Sequence, residues 1–336
     1  MKKKVGGVQN PACEGRWQLR PQRSAQEGLM VRSATDMLAL PLRPGGGLEQ
    51  WTERHLKILM LAPTLVLLAG LTLFPTIYMF TAAVQRISPD PSVPREFIGL
   101  GNFVRMLSDP ELHIAIKNTV VFTFSAVTLE FLLGLGLALL FDKFIRQLNF
   151  LKTILLVPMM IPPIAVALTW KLIYQPQFGV LNELMYRLGL PAQAWAGDVN
   201  LAMATIIAAD VWEWTPFIFL LMLAGLASLP TEPYEAAQVD GASAWRQFWD
   251  LTIPFLKPVI AIALLLRIMD ALRLFDLVFI LTVGGPAGAT ETLSLYIFKV
   301  AFTFVDIGYA AAVSLVVLFV TVGFSTWFIK RLRLAD

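Results

Sequence analysis

The stretch Tyr234–Pro258, YEAAQVDGASAWRQFWDLTIPFLKP, decides how the rest of the chain is read. It is polar and mixed in charge, yet it stands between two long apolar runs. Pro233, just before it, suits the first turn of a helix, where its missing N–H would have no partner anyway. Thr231 or Glu232 can cap that helix, and Glu235 falls where the helix dipole favours an acid. Ala236 and Ala237 are strong helix formers, and Gly241 ends the run by turning left-handed. A second short helix then carries Trp245, Phe248 and Trp249 at i, i+3 and i+4 on one face. Pro254 and Pro258 are expected to redirect the chain into the next apolar run. Two readings of the loop stand open. It is a docking surface, small on one side and aromatic on the other, or a plain connector lying at the lipid headgroups.

Composition makes the apolar runs membrane spans. Of 336 residues, 57% are hydrophobic and 15% charged, with a mean hydropathy of +0.66, well outside soluble usage. Six runs stand out: 57–83, 118–141, 152–174, 201–228, 259–283 and 308–329. At about 1.5 Å per residue, each can cross about 30 Å of hydrocarbon. The expected fold is therefore an all-α membrane protein with six transmembrane helices across 51–336, the loop 231–258 lying between the fourth and fifth. Lys and Arg gather before the first run, at Lys143, Arg146 and Lys152, at Arg246 and Lys257, and at Lys330, Arg331 and Arg333. The alternate loops hold only Arg86, Arg95, Arg105, Lys117, Arg187 and Lys299. This bias puts both termini and the loop 231–258 in the cytoplasm.

Several classes are disfavoured. Residues 1–50 are rich in Pro, Gly, Arg and Gln and read as a disordered N-terminal cytoplasmic tail. A regulatory tail, or a true start at Met30 or Met37, are the alternatives. The net charge is only +3 and the basic residues form no single face, so no nucleic-acid partner is expected. One cysteine, Cys13, allows no internal disulfide, and two histidines argue against a metal site. No G-x-x-x-x-G-K-[ST] run occurs, and Gly284-Gly285-Pro286-Ala287-Gly288 lacks the lysine, so this chain alone is expected neither to hydrolyse ATP nor to hold a cofactor. Two rival classes are weaker. A secondary transporter would be expected to carry internal repeats, which the sequence does not show. A membrane-embedded enzyme would need a reactive pair near the interface.

Glu235-Ala236-Ala237, Asp240-Gly241-Ala242 and Leu251-Thr252-Ile253-Pro254 resemble the EAA loop of ABC-importer permeases. Further matching stretches are Phe97-Ile98-Gly99-Leu100-Gly101-Asn102-Phe103, Phe178-Gly179-Val180-Leu181-Asn182, and Phe275-Asp276 through Gly284-Gly285-Pro286. The resemblance runs from Leu56 to the C-terminus and is to the sugar and polyol branch, alongside maltose, trehalose and glycerol-phosphate importers. It implies a type I ABC importer permease-like fold in the cell inner membrane, with a second permease subunit. It also implies a cytosolic ATPase dimer that binds ATP and Mg, and an extracytoplasmic solute-binding protein. On the same ground Glu235, Ala236, Ala237, Asp240, Gly241 and Pro254 would couple the chain to the ATPase. Solute would arrive around Phe178–Asn182 and Gly284–Glu291.

A second group of residues lies at membrane depth. The fifth run carries Arg267, Asp270, Arg273 and Asp276, each three residues after the last. A charge at mid-bilayer costs about 2.5–3.5 kcal/mol, so these groups should be paired or face a wet path. Steps of three turn a helix face by about −60°, which separates Arg267 from Asp276. Arg267 and Asp270 are thus expected to face a pathway, while Arg273 and Asp276 brace neighbours. The fourth run brings Asp210, Trp212, Glu213, Trp214 and Phe217 together around Pro216, with Glu213 and Trp214 at the depth of Arg267, Asp270 and Ala271. Aromatic faces beside hydrogen-bonding groups suit a sugar; the alternative is that they only knit helices together. Matched without gaps to the maltose-type permeases, the substrate-facing positions fall on Glu213, Trp214, Phe217, Arg267, Asp270, Ala271 and Leu274. Their charged types differ from that subunit's uncharged set, so the resemblance implies a solute other than maltose. Arg267 would admit an acidic sugar unless Asp270 neutralises it. Glu130 is expected to serve helix packing, and Arg267→Ala to change transport without loss of assembly.

Overall fold

The computed structural model describes residues 47–90, 92–144 and 149–333. Most of the 1–50 tail, residues 1–46, and also Arg146, lie outside the described residues; residues 47–50 already belong to a helix, α1 (Gly47–Ala83). The chain divides into two units after Leu68. In the first, α1 begins, and its side chains from Met60 to Leu68 are mostly exposed.

The second unit completes α1 and opens with a two-residue antiparallel ladder, β1 (Gln85–Arg86) on β2 (Glu96–Phe97), paired Gln85 to Phe97 and Arg86 to Glu96. A short helix α2 (Gly101–Leu107) leads to α3 (Pro110–Phe144). Asp109 caps α3, its Oδ1 accepting the backbone N–H groups of Glu111 at 3.0 Å and Leu112 at 3.2 Å. At about 1.5 Å per residue α3 is longer than the hydrocarbon is thick.

The third expected span, 152–174, is not one helix. It is α4 (Asn149–Leu156), a 3₁₀ turn over Pro158–Met160, and α5 (Pro163–Ile173). Pro158, Pro162 and Pro163 remove three backbone donors within six residues, and Ile161 and Pro162, each preceding a ring, are extended, so the ladder cannot run through. Among the described residues, five helical stretches are long and apolar enough to cross a membrane: Met60–Ala83, Pro110–Phe144, Ala202–Ala227, Ala244–Leu281 and Ile307–Arg331. The broken segment occupies the place of the sixth.

A small helix α6 (Val180–Arg187) precedes α7 (Ala202–Ala227), which stays helical through Pro216. Then come α8 (Glu232–Val239), α9 (Ala244–Gln247), a π-helical turn over Phe248–Thr252, and α10 (Ile253–Ala271). Pro254 and Pro258 do not redirect the chain as expected. Pro254 sits in the first turn of α10, where no N–H is required, and the wide turn before it feeds α9 into α10. The chain ends with α11 (Asp276–Leu281), α12 (Leu293–Phe298), a second π-helical turn over Lys299–Thr303, and α13 (Ile307–Arg333).

The most extensive helix pairing is α3 on α7, and α10 packs on both. Gly134 makes the first crossing possible: a Cβ there would lie 2.7 Å from Ile218 Cγ2 and 2.9 Å from the Phe219 backbone nitrogen. Phe141, Phe219, Met222 and Leu256 fill the core toward the 231–258 loop, with Phe141 and Phe219 edge to face at 5.1 Å. Phe122, Val166, Ile206 and Leu277 fill another core cluster. Between them, α3, α7 and α10 each present a charged side chain.

Candidate functional site

Those side chains converge on Arg267 of α10, which is buried. Glu130 of α3, fully buried, takes it in a bidentate grip, from Nε at 2.6 Å and from Nη2 at 2.9 Å. Asp210 of α7 also accepts from Nη2, and Asp270, one turn along α10, accepts from Nη1 at 3.0 Å. The Trp214 ring lies 5.1 Å from the guanidinium carbon. Forked, charge-assisted bonds of this kind are the strong ones, and here they tie three helices at one point. In water such a node would contribute little; out of water each partner is costly to leave alone. Among the described residues, no group of three or more His, Cys, Asp or Glu side chains is disposed to hold a metal ion.

A small polar cavity of about 90 Å³ adjoins this node. Its walls include Glu213, Trp214, Arg267, Asp270, Ala271 and Leu274, six of the seven positions expected along a pathway. The seventh, Phe217, lies outside the lining: it meets Trp214 edge-on at 6.2 Å and packs against the Phe141–Phe219 core. Glu213 is buried and its Oε2 has no hydrogen-bond partner. Volume alone points elsewhere, to a groove of about 840 Å³ along Leu129, Leu133, Ile207 and Trp212. That groove is walled almost wholly by apolar side chains, as lipid-facing helices are, so the chemistry favours the smaller one.

Two expectations change here. Arg273 and Asp276, assigned to bracing, also line the cavity. Steps of three separate these groups only along one continuous helix, whereas α10 ends at Ala271 and the chain turns before α11 starts at Asp276. Asp276 in a first helical turn was the available signal. Glu130 does serve packing, but its partner is Arg267, which is thereby enclosed. Asp210 stood in the fourth run without a role; pairing across helices is not visible from spacing along one.

The loop 231–258 is built differently. Thr231 holds the N-cap position of α8 with no side-chain bond; its carbonyl accepts from Tyr234 and Glu235 N–H at 3.0 and 3.1 Å. Gly241 has φ +76°, and the Ala242 N–H reaches back to the Ala237 carbonyl at 2.9 Å, closing α8. Ser243 Oγ then accepts from Arg246 N–H to start α9. Trp245, Phe248 and Trp249 cluster at 5.1 to 6.1 Å between ring centres, yet Trp245 is 71% exposed and Val239 89%. Glu235, Ala236, Asp240 and Gly241 are exposed too, with Ala237 half-buried. Tyr234 donates to Thr252 at 3.0 Å and Gln247 to the Ala242 carbonyl at 2.9 Å, which ties α8 to the π-helical turn and α9 to the link that follows Gly241. Glu235 borders a groove of about 790 Å³ that reaches Asp142 and Lys143 at the end of α3.

Residues 130–333 match the family described as binding-protein-dependent transport system inner membrane component. The trehalose/maltose transport system permease protein MalF of Thermococcus litoralis is 38% identical over 282 residues, covering 84% of this chain and 95% of that one. A crystal structure of a bacterial ABC transporter for import of the acidic polysaccharide alginate superposes with a TM-score of 0.71 at 23% identity, over 85% of this chain and 98% of that one. A second structure, with an alginate pentasaccharide-bound periplasmic protein, gives 0.70 at 24% identity over 84% and 97%. The polytopic helical fold, the exposed loop and these matches define an importer permease. The chain belongs to the binding-protein-dependent transport system inner membrane component family, the permease subunits of ABC importers, which are not themselves enzymes. It is a multi-pass inner-membrane protein of that family.

Proposed function

We propose that this chain moves a sugar or sugar-like solute into the cytoplasm by alternating access, as one of two different permease subunits in an ATP-driven importer. The observation that carries the reading is the polar cavity between α7 and the α10–α11 turn, where the Trp214 ring stands beside carboxylates. The relative named for trehalose and maltose supports the solute class. A cavity of about 90 Å³ has room for a few waters only, so passage requires it to widen and a second subunit to complete the wall. Glu213, Trp214, Phe217, Arg267, Asp270, Ala271 and Leu274 are the residues assigned to this region, Arg267 by holding its walls.

The loop 231–258 would dock on a cytosolic ATPase dimer that binds ATP and Mg, through Glu235, Ala236, Ala237, Asp240, Gly241 and Pro254. Both termini are then cytoplasmic. An extracytoplasmic binding protein would deliver the solute on the far side. Affinity purification from native membrane tests the assembly: an ATPase and a second permease should come with the chain and be lost on Gly241→Asp, with membrane insertion intact. Sugar uptake that collapses with an uncoupler at constant ATP would instead favour an ion-driven transporter.

A further inference from the structure

Arg267 is the one buried cation at the polar cavity among the described residues, and three carboxylates already engage it. Five acids gather here, Glu130, Asp210, Glu213, Asp270 and Asp276, against the guanidiniums of Arg267 and the exposed Arg273. Even with three of the five protonated, the two remaining carboxylates balance the two guanidiniums and the wall carries no positive excess. Arg273 gives its Nε–H to the Met269 carbonyl, while Glu213 and Asp270 keep acceptor capacity. Glu213 is 2% exposed, lines the cavity, and its Oε2 has no partner within the chain. Asp270 gives one oxygen to Arg267 and keeps a side chain that is 47% exposed. Ionised carboxylates accept and never donate, so the complement is a ligand rich in O–H or N–H groups. A second anion would meet like charge at low dielectric, where repulsion is little screened.

We infer that this cavity sorts solutes by charge, taking polyhydroxylated solutes that are neutral or carry an ammonium group and turning anionic ones away. The inference rests on the proposal that the cavity lies on the solute's route. It sets this chain apart from the alginate importer that shares its fold and is named for an acidic polysaccharide.

Charged thiol reagents test it without knowledge of the solute. In a Cys13→Ser background, Leu274→Cys places one thiol in the cavity wall and Tyr186→Cys, 79% exposed, serves as reference. Membrane vesicles holding the whole importer, with and without ATP, are treated with a cationic ethylammonium methanethiosulfonate or its anionic ethylsulfonate counterpart. Modification is read on this chain by mass spectrometry. Relative to the reference thiol, the cationic reagent should react about tenfold faster, and Glu213→Gln with Asp270→Asn should bring the ratio close to one. An anionic reagent that reacts as fast or faster, a ratio unmoved by neutralisation, or a thiol inert in both states would each overturn the inference. Sugar uptake is measured separately, so charge selectivity without sugar transport would sink the sugar reading alone.

Discussion

The node at Arg267 and the loop 231–258 are both charged segments of an apolar chain, and they use their charges in opposite ways. At the node, hydrogen-bonding capacity is consumed within the chain: one guanidinium answers Glu130, Asp210 and Asp270. In the loop, the backbone is closed by Gly241 and Ser243 while Glu235, Asp240 and Trp245 stay exposed. A charge in hydrocarbon must find its partner during folding, because none will come from solvent. A charge in water can wait for another protein. Position therefore says less about role than whether a group still has capacity to spend. By that measure Glu213 belongs with the loop, although it lies at the depth of the node.

The comparison breaks most readily at Arg267. Arg267→Ala leaves carboxylates buried and unanswered, which costs about 3–5 kcal/mol in comparable pairs, so the chain should fail to accumulate in the membrane. This reverses the expectation, drawn from spacing, that the variant would assemble. Arg267→Met with Glu130→Gln and Asp210→Asn should recover much of the level, as measured by immunoblot and by the thermal midpoint of the detergent-solubilised complex. A single variant that assembles normally would deny the node its structural role.

Gly241 sharpens the other side. A Cβ there meets nothing within 4 Å, so the penalty is one of backbone conformation alone. Gly241→Val, strained at φ +76° by about 1–2 kcal/mol, should lose ATPase copurification and uptake at normal membrane level, and Gly241→Asn should keep a good part of both. Equal loss in the two would mean that the surface, and not the turn, is what the partner reads. Next in size, Glu213→Gln removes a carboxyl whose Oε2 has no partner, so the chain should accumulate normally while uptake falls about tenfold. Normal uptake would return Glu213 to packing.

The smallest effect is outside the spans. Burial raises the Asp109 carboxyl, but hydrogen bonds from Tyr296 at 2.5 Å and Tyr309 at 2.6 Å, and from the Leu112 and Glu111 N–H groups, outweigh it and hold it below its usual range. A carboxyl lowered on folding contributes stability above its unfolded pKa and loses it as pH falls through the folded value. The thermal midpoint of the wild-type complex should therefore drop more than that of Asp109→Asn when pH is taken below about 4. Parallel curves would show that the two tyrosines do not hold the ionised form.

Much of the loop could be read locally. Pro233 in a first turn, the left-handed Gly241 and the Trp245–Phe248–Trp249 face all follow from chemistry within four residues, and all three are present. The Pro254 and Pro258 expectation failed because the helical backbone continues from the π-helical turn through both rings. Around Arg267, spacing brought the right residues near one another but misjudged which face they shared, since the end of α10 at Ala271 carries no Gly or Pro to announce it.

The sequence by itself determined a polytopic helical membrane protein, its exposed loop and its family kinship. Hydropathy and turn chemistry are properties of neighbours along the chain, and a bilayer leaves few other ways to satisfy the backbone. Only the tertiary structure decided that Glu130 and Asp210 enclose Arg267, that Arg273 and Asp276 join the cavity, and that Phe217 leaves it. Those facts depend on how α3, α7 and α10 cross, which Gly134 and the packing around Phe219 fix across more than eighty residues of separation.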